Sequence, residues 1–132
     1  KEVLQNVLEH QLAVRDIPTI LDLPTFLQIQ KEIDHITLSE SIVDYIVQIV
    51  RKTRDGEAIR LGASTRAAIS IGKGAKAWAF LQGRDYVTPD DVKIVAKPAL
   101  RHRIQLSPHM ELEGVSVDQI IEELVGSITV PR

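Results

Sequence analysis

Leu61-Gly62-Ala63-Ser64-Thr65-Arg66-Ala67-Ala68 places a cation where a helix least favours one. Ser64 is a good N-cap for the small-residue run at 67–81, which puts Arg66 in the first helical turn. The macrodipole there already amounts to roughly half a positive elementary charge, and the first N–H groups have no partner inside the helix. A guanidinium is unfavourable at such a spot unless an anion offsets it, and a helix start with an added guanidinium suits a phosphate. On this octapeptide alone the plainer reading stays open, with Arg66 reaching into water or pairing with a carboxylate.

Working outward, the helix that follows is rich in small side chains: Ala67, Ala68, Gly72, Gly74, Ala75, Ala77 and Ala79. Two glycines inside a helix cost about 1 kcal/mol each relative to alanine, but a small face admits a close neighbouring helix. Ile71, Trp78 and Leu81 read as its larger core anchors, and Trp78 as core rather than a stacking platform, because Gly74, Ala75 and Leu81 lie three or four residues away. Gly83 ends the helix in a left-handed cap. Arg84-Asp85-Tyr86-Val87-Thr88-Pro89-Asp90-Asp91-Val92 then carries a complete helix start. Thr88 is the N-cap, Pro89 stands at the first helical position, the aspartates complement the dipole, and Val87 staples to Val92. Ile94, Val95 and Leu100 continue a buried face, and Pro98 kinks or ends the helix. A second complete start follows at Ser116, with Gln119 closing the box, Val115 facing Ile120, and Ile121, Leu124, Val125 and Ile128 beyond it. Residues 102–113 read as loop or short extended structure.

Upstream, residues 39–53 carry Ile42, Val43, Ile46, Ile49 and Val50 as one stripe, with Asp44, Gln48, Arg51 and Asp55 opposite. Two starts compete for this helix: Thr37 with Glu40 as a capping box, or Ser39 with a Leu38–Val43 staple. Asp55-Gly56-Glu57 is its stop and turn, and residues 58–61 lead into the central motif. Earlier still, Asp22 caps a short helix bearing Phe26, Leu27, Gln30 and Ile33, with a break at 34–38. Residues 1–14 place Val3, Leu4, Val7, Leu8 and Leu12 at helical spacing, and 15–21, with Pro18, form a connector. No strand run of convincing length is present, so the expected fold is an all-α helical bundle of about five or six helices.

The 132 residues, 44% hydrophobic and 26% charged, suit one ordinary globular domain. The chain has no cysteine, which removes disulfides and thiolate chemistry. No apolar run approaches the roughly 20 residues of a membrane span, and no signal peptide opens the chain, so the expected setting is soluble and intracellular. A first residue of Lys1 rather than methionine points to a segment of something longer. The net charge of −2 is unevenly spread: residues 1–50 hold three Lys/Arg against eight Asp/Glu, 51–103 hold twelve against five, and 104–132 hold one against five. The basic middle could meet the phosphates of a nucleotide, a nucleic-acid backbone or an acidic partner, or simply neutralise the acidic flanks.

The chain has no G-x-x-x-x-G-K-[ST] loop, no G-x-S-x-G elbow and no H-E-x-x-H pair, so it does not grip a nucleotide by itself. His10, His35, His102 and His109 lack ligand spacing, and no metal site is expected. Asp90 and Asp91 are accounted for by capping and the dipole. Arg101-His102-Arg103 is basic without the interleaved aromatics of a single-strand binder.

Four stretches in order resemble the C-terminal helical lid of MoxR-family AAA+ ATPases over about residues 36–130. They are Leu61-Gly62-Ala63-Ser64-Thr65-Arg66-Ala67, the run from Gly83 to Val92, Leu100-Arg101-His102-Arg103, and Leu112-Glu113-Gly114-Val115. The resemblance implies a lid at 36–132, with 1–35 as lead-in helices from a nucleotide-binding domain. It implies that Arg66 corresponds to the second-sensor arginine reaching the γ-phosphate, in a turn where Gly62 and Ser64 also meet the nucleotide. ATP with Mg2+ would be held mainly by the nucleotide-binding domain, and the lid alone would be inactive. The implied partners are that domain, further copies in a ring, and client proteins remodelled in a chaperone-like way in the cytoplasm, with no membrane. One departure stands out: the family's usual G-A-S-P-R has proline where this chain has Thr65, which bears on the stiffness of the turn. Two readings compete, a helical nucleic-acid-binding module using the basic middle and a purely structural interaction bundle.

Overall fold

The computed structural model describes residues 18–131; the helix expected at 1–14 lies outside them. The chain divides between Gln30 and Lys31 into two units. In the first, the Asp22 carboxylate accepts the Thr25 N–H at 2.9 Å and starts α1 (Leu23–His35), which runs on past the boundary and whose Leu23, Phe26 and Leu27 are exposed.

The second unit carries α2 (Glu40–Lys52), β1 (Ile59–Leu61), α3 (Thr65–Leu81), α4 (Pro89–Leu100), β2 (Gln105–Leu106), α5 (Pro108–Leu112) and α6 (Val117–Gly126). With α1 this makes six helices among the described residues, the all-α bundle expected. Ser39 starts α2, its hydroxyl accepting the Ile42 N–H at 3.4 Å. The competing start at Thr37 loses because that backbone is already engaged. Thr37 N–H donates to Asp85 O at 2.7 Å and Thr37 O accepts from Val87 N–H at 3.0 Å, pinning the α1–α2 connector to the α3–α4 connector.

Ile42, Ile46, Ile49 and Val50 of α2 are buried as their spacing requires. Val43 is not: it is 41% exposed, on the lip of a groove of about 330 Å³ between α2 and α3. Tyr45, which the stripe did not include, is buried in place of Val43, and burial pushes its phenol above the ordinary value.

The core of the bundle is the α3–α4 pair. Ala67, Ile71, Ala75 and Ala79 form one fully buried row on α3, and Val92, Ala96 and Leu100 a matching row on α4. A Cβ on Gly74 would lie 2.6 Å from Val95 Cγ1, so glycine there is what lets the helices approach. This geometry corrects three expected anchors. Leu81 is 72% exposed and Ile94 50% exposed, each lying two residues, about 200° around the helix, from a row member, while Trp78 is half-buried. Nor does Pro98 end α4, which continues to Leu100 with the proline on its exposed side.

At the end of α3 and at the starts of α4 and α6, capping follows the sequence closely. Gly83, at φ 71°, donates to Phe80 O at 2.9 Å while Arg84 N–H reaches Ala79 O at 3.0 Å, a Schellman closure of α3. Thr88 and Asp91 form the complete box at α4, as do Ser116 and Gln119 at α6. Residues 102–113, expected as loop or short extended structure, contain β2 and α5. β2 pairs antiparallel with β1, Ile59 opposite Leu106 and Leu61 opposite Gln105, a two-strand clasp across the bundle.

Candidate functional site

The end of α2 meets the turn that begins α3, and this junction holds Ala63 by both of its backbone groups. The fully buried Thr53 donates its hydroxyl to Val50 O at 2.7 Å and accepts the Ala63 N–H at 2.9 Å. Its neighbour Arg54 donates Nε–H to Ala63 O at 2.8 Å. Gly62 is seated by the same contact: a Cβ there would fall 2.6 Å from both Thr53 O and Arg54 Cγ. The glycine is therefore required by close approach of backbone to backbone.

Ser64 sits in the extended N-cap conformation, φ −92° and ψ 174°, and its carbonyl accepts the Ala67 N–H at 2.8 Å. Its side chain makes no cap hydrogen bond, which corrects the expected role from chemical cap to positional one. Arg66 is the second residue of α3, exposed, with its carbonyl accepting the Ser70 hydroxyl at 2.9 Å. No acidic residue stands in this first turn, and among the described residues the Arg66 guanidinium has no ion pair. Of the two plain readings, pairing with a carboxylate of the described chain is thus removed. The turn brings Gly62, Ser64 and Arg66 to one helix start. Residues 61–66 contain neither carboxylate nor imidazole, so this turn can attract an anion but not shuttle a proton.

The same stretch of chain is rich in cations, with Asp55 and Glu57 among them. Arg51, Lys52, Arg54, Arg60, Arg66, Lys73 and Lys76 make no ion pair with a carboxylate among the described residues. Further along the chain the acidic flanks do neutralise cations. Lys97 pairs with Glu122 and Asp118, and Arg101 with Asp118 through two bonds of 2.7 and 2.8 Å. Of the Arg101-His102-Arg103 run, Arg101 is therefore neutralised, while Arg103 directs its Nε–H at His102 Nε2 at 3.1 Å. Among the described residues no group of His, Asp or Glu is placed to hold a metal ion, and no helix is long and apolar enough to cross a membrane.

Sequence reasoning missed Thr53 and Arg54. Their link to Ala63 spans about ten residues and leaves no periodic mark, and a threonine at a helix end reads as an ordinary surface stop.

Comparison with known proteins bears on these motifs together. The AAA lid domain family model matches residues 51–124, from the end of α2 into α6. The chain is 40% identical over 106 residues to the uncharacterized protein YeaC of Bacillus subtilis, covering 80% of this chain and 33% of that protein. It is 30% identical over 122 residues to Chaperone MoxR1 of Mycobacterium tuberculosis, covering 86% and 32%. A crystal structure of a candidate ATPase from Cytophaga hutchinsonii superposes with a TM-score of 0.81 at 37% identity, covering 99% of this chain and 42% of that one. The chain thus spans about a third of the length of the curated relatives it matches. With the family model covering more than half of its length, the chain belongs to the AAA lid domain family, as the helical lid of a MoxR-like AAA+ ATPase.

Proposed function

We infer that this lid supplies Arg66 as a sensor arginine for ATP. The observation that carries the reading is a guanidinium at the second position of a helix whose first turn holds no acid and whose own chain gives it no carboxylate partner among the described residues. A cation kept at the positive end of a dipole stores an unfavourable interaction that a triphosphate would relieve. Residues 36–132 act as the lid and 1–35 lead in from the nucleotide-binding domain, which holds ATP and Mg2+. Arg66 reaches the γ-phosphate, with Gly62 and Ser64 shaping the turn beside it. Turnover in the whole protein, assembled as a ring, drives chaperone-like remodelling or activation of client proteins in the cytoplasm. Arg66, with no carboxylate partner among the described residues, supports an anionic ligand at this helix start, and the relative named a chaperone supports the client role.

The test is Arg66→Ala in the full-length ATPase. Steady-state ATP turnover falls by roughly 100-fold or more, as for other phosphate-clamping groups, while the circular dichroism spectrum stays that of the parent. Unchanged turnover with unchanged nucleotide affinity would overturn the assignment.

A further inference from the structure

We propose that Thr53 and Arg54 are positioning residues for Arg66: together they fix the peptide units on either side of Ala63 and so set where the guanidinium is presented. This rests on the reading of Arg66 as the phosphate contact. Thr53 holds the Ala63 N–H at 2.9 Å from a site with no solvent exposure, and its own hydroxyl proton is committed to Val50 O at 2.7 Å. Arg54 holds the Ala63 carbonyl at 2.8 Å through Nε, which orients the planar guanidinium along the turn. With both the donor and the acceptor of one residue restrained, the turn has little freedom left to rotate, and Arg66 follows three residues later.

Two further observations show that α3 depends on this clamp. The Ser64 side chain makes no cap bond, so the usual local device for fixing a helix start is absent. Thr65 stands at the first helical position, where a proline would pre-set φ, and threonine does not. The restraint on the turn that begins α3 therefore comes from the end of α2, which also meets Gly62, where a Cβ would lie 2.6 Å from Thr53 O. A consequence is that any displacement of the C-terminal turn of α2 is carried directly to Arg66.

The test is a double-mutant cycle in the full-length protein, reading kcat and KM for ATP. Thr53→Val keeps the buried shape and leaves the Ala63 N–H unsatisfied. It lowers kcat by roughly 10- to 100-fold, with a smaller change in KM, because a misplacement of about 1 Å at a reacting phosphate is that costly. Thr53→Ser retains the hydroxyl and restores turnover. In an Arg66→Ala background, Thr53→Val lowers kcat by no more than about twofold further, since its effect passes through the missing side chain. Thr65→Pro added to Thr53→Val recovers turnover: Ser64 is already extended, as a residue before proline must be, and the ring supplies the stiffness that the clamp no longer provides. Arg54→Met, which keeps the aliphatic stem beside Gly62 and removes the Nε–H, runs the same cycle if Thr53→Val does not fold. Independent, multiplying losses from Thr53→Val and Arg66→Ala, or wild-type kcat in both clamp variants, overturn the positioning role and leave the sensor reading standing. A full-activity Arg66→Ala protein overturns the sensor reading itself.

Discussion

The starts of α3 and α4 obey opposite rules. At α4 every local device is present: Thr88 and Asp91 exchange cap hydrogen bonds, Pro89 opens the helix, and two aspartates face the positive end of the dipole. Asp91 is buried and also receives a two-pronged guanidinium from Arg84, at 2.6 and 2.7 Å. At α3 the serine does not cap, the first turn holds no acid, and Arg66 adds positive charge where the dipole is already positive. The first start is complete by itself; the second is held from outside, by α2, and is electrostatically open. A helix start finished by its own side chains is built for stability, whereas one left incomplete keeps its polar groups available for something else.

The largest expected effect lies on the closed side. Asp91→Ala removes the box and strands the Arg84 guanidinium, and urea denaturation of the chain should show a loss of about 3 kcal/mol. A loss below about 1 kcal/mol would dissolve the contrast. The same carboxyl gives a pH signature. The Arg84 guanidinium beside it, together with hydrogen bonds from Thr88, holds its pKa at about 2, against an ordinary 3.8. Because the folded value is the lower one, the stabilisation is complete above the unfolded value and disappears as pH falls from about 4 towards 2. Acid titration of stability should lose that limb in Asp91→Ala. Next in size are the caps compared directly: Thr88→Ala should cost about 1 to 2 kcal/mol, and Ser64→Ala only a few tenths. Equal losses would mean that the two starts are not different in kind. The last effect, of the same order as that of Ser64→Ala, has the reverse sign. Arg66→Glu should raise the stability of the chain by about 0.5 kcal/mol, by replacing a cation with an anion at the helix start, while turnover of the full-length ATPase falls. A destabilised Arg66→Glu chain would show that the arginine is already compensated.

What can be read from the sequence is what neighbouring residues decide. The boxes at Thr88 and Ser116, the left-handed stop at Gly83 and the Asp22 cap all depend on contacts within about five positions, and all are present. Errors arise where a distant element settles the matter. Val43, Ile94 and Leu81 carry apolar side chains at plausible spacing, yet the buried rows are fixed by which partner helix arrives, and these three lie off them. β1 and β2 are too short to register as strands, and each exists because the other is there. At the candidate site, Gly62, Ser64 and Arg66 are identifiable from the motif. The clamp on Ala63 is not, because hydrogen bonding between a side chain and a backbone ten residues away has no period to detect.

The two-strand clasp has a mechanical meaning. Joining the segment before α3 to the segment after α4 closes the helical hairpin into a loop with no free end, so neither helix can peel from the other without first opening the Ile59–Leu106 pairing. A hinged plate loses stroke by flexing, and a closed frame does not. The same frame carries α6, which is tied to α4 through Lys97 and Arg101.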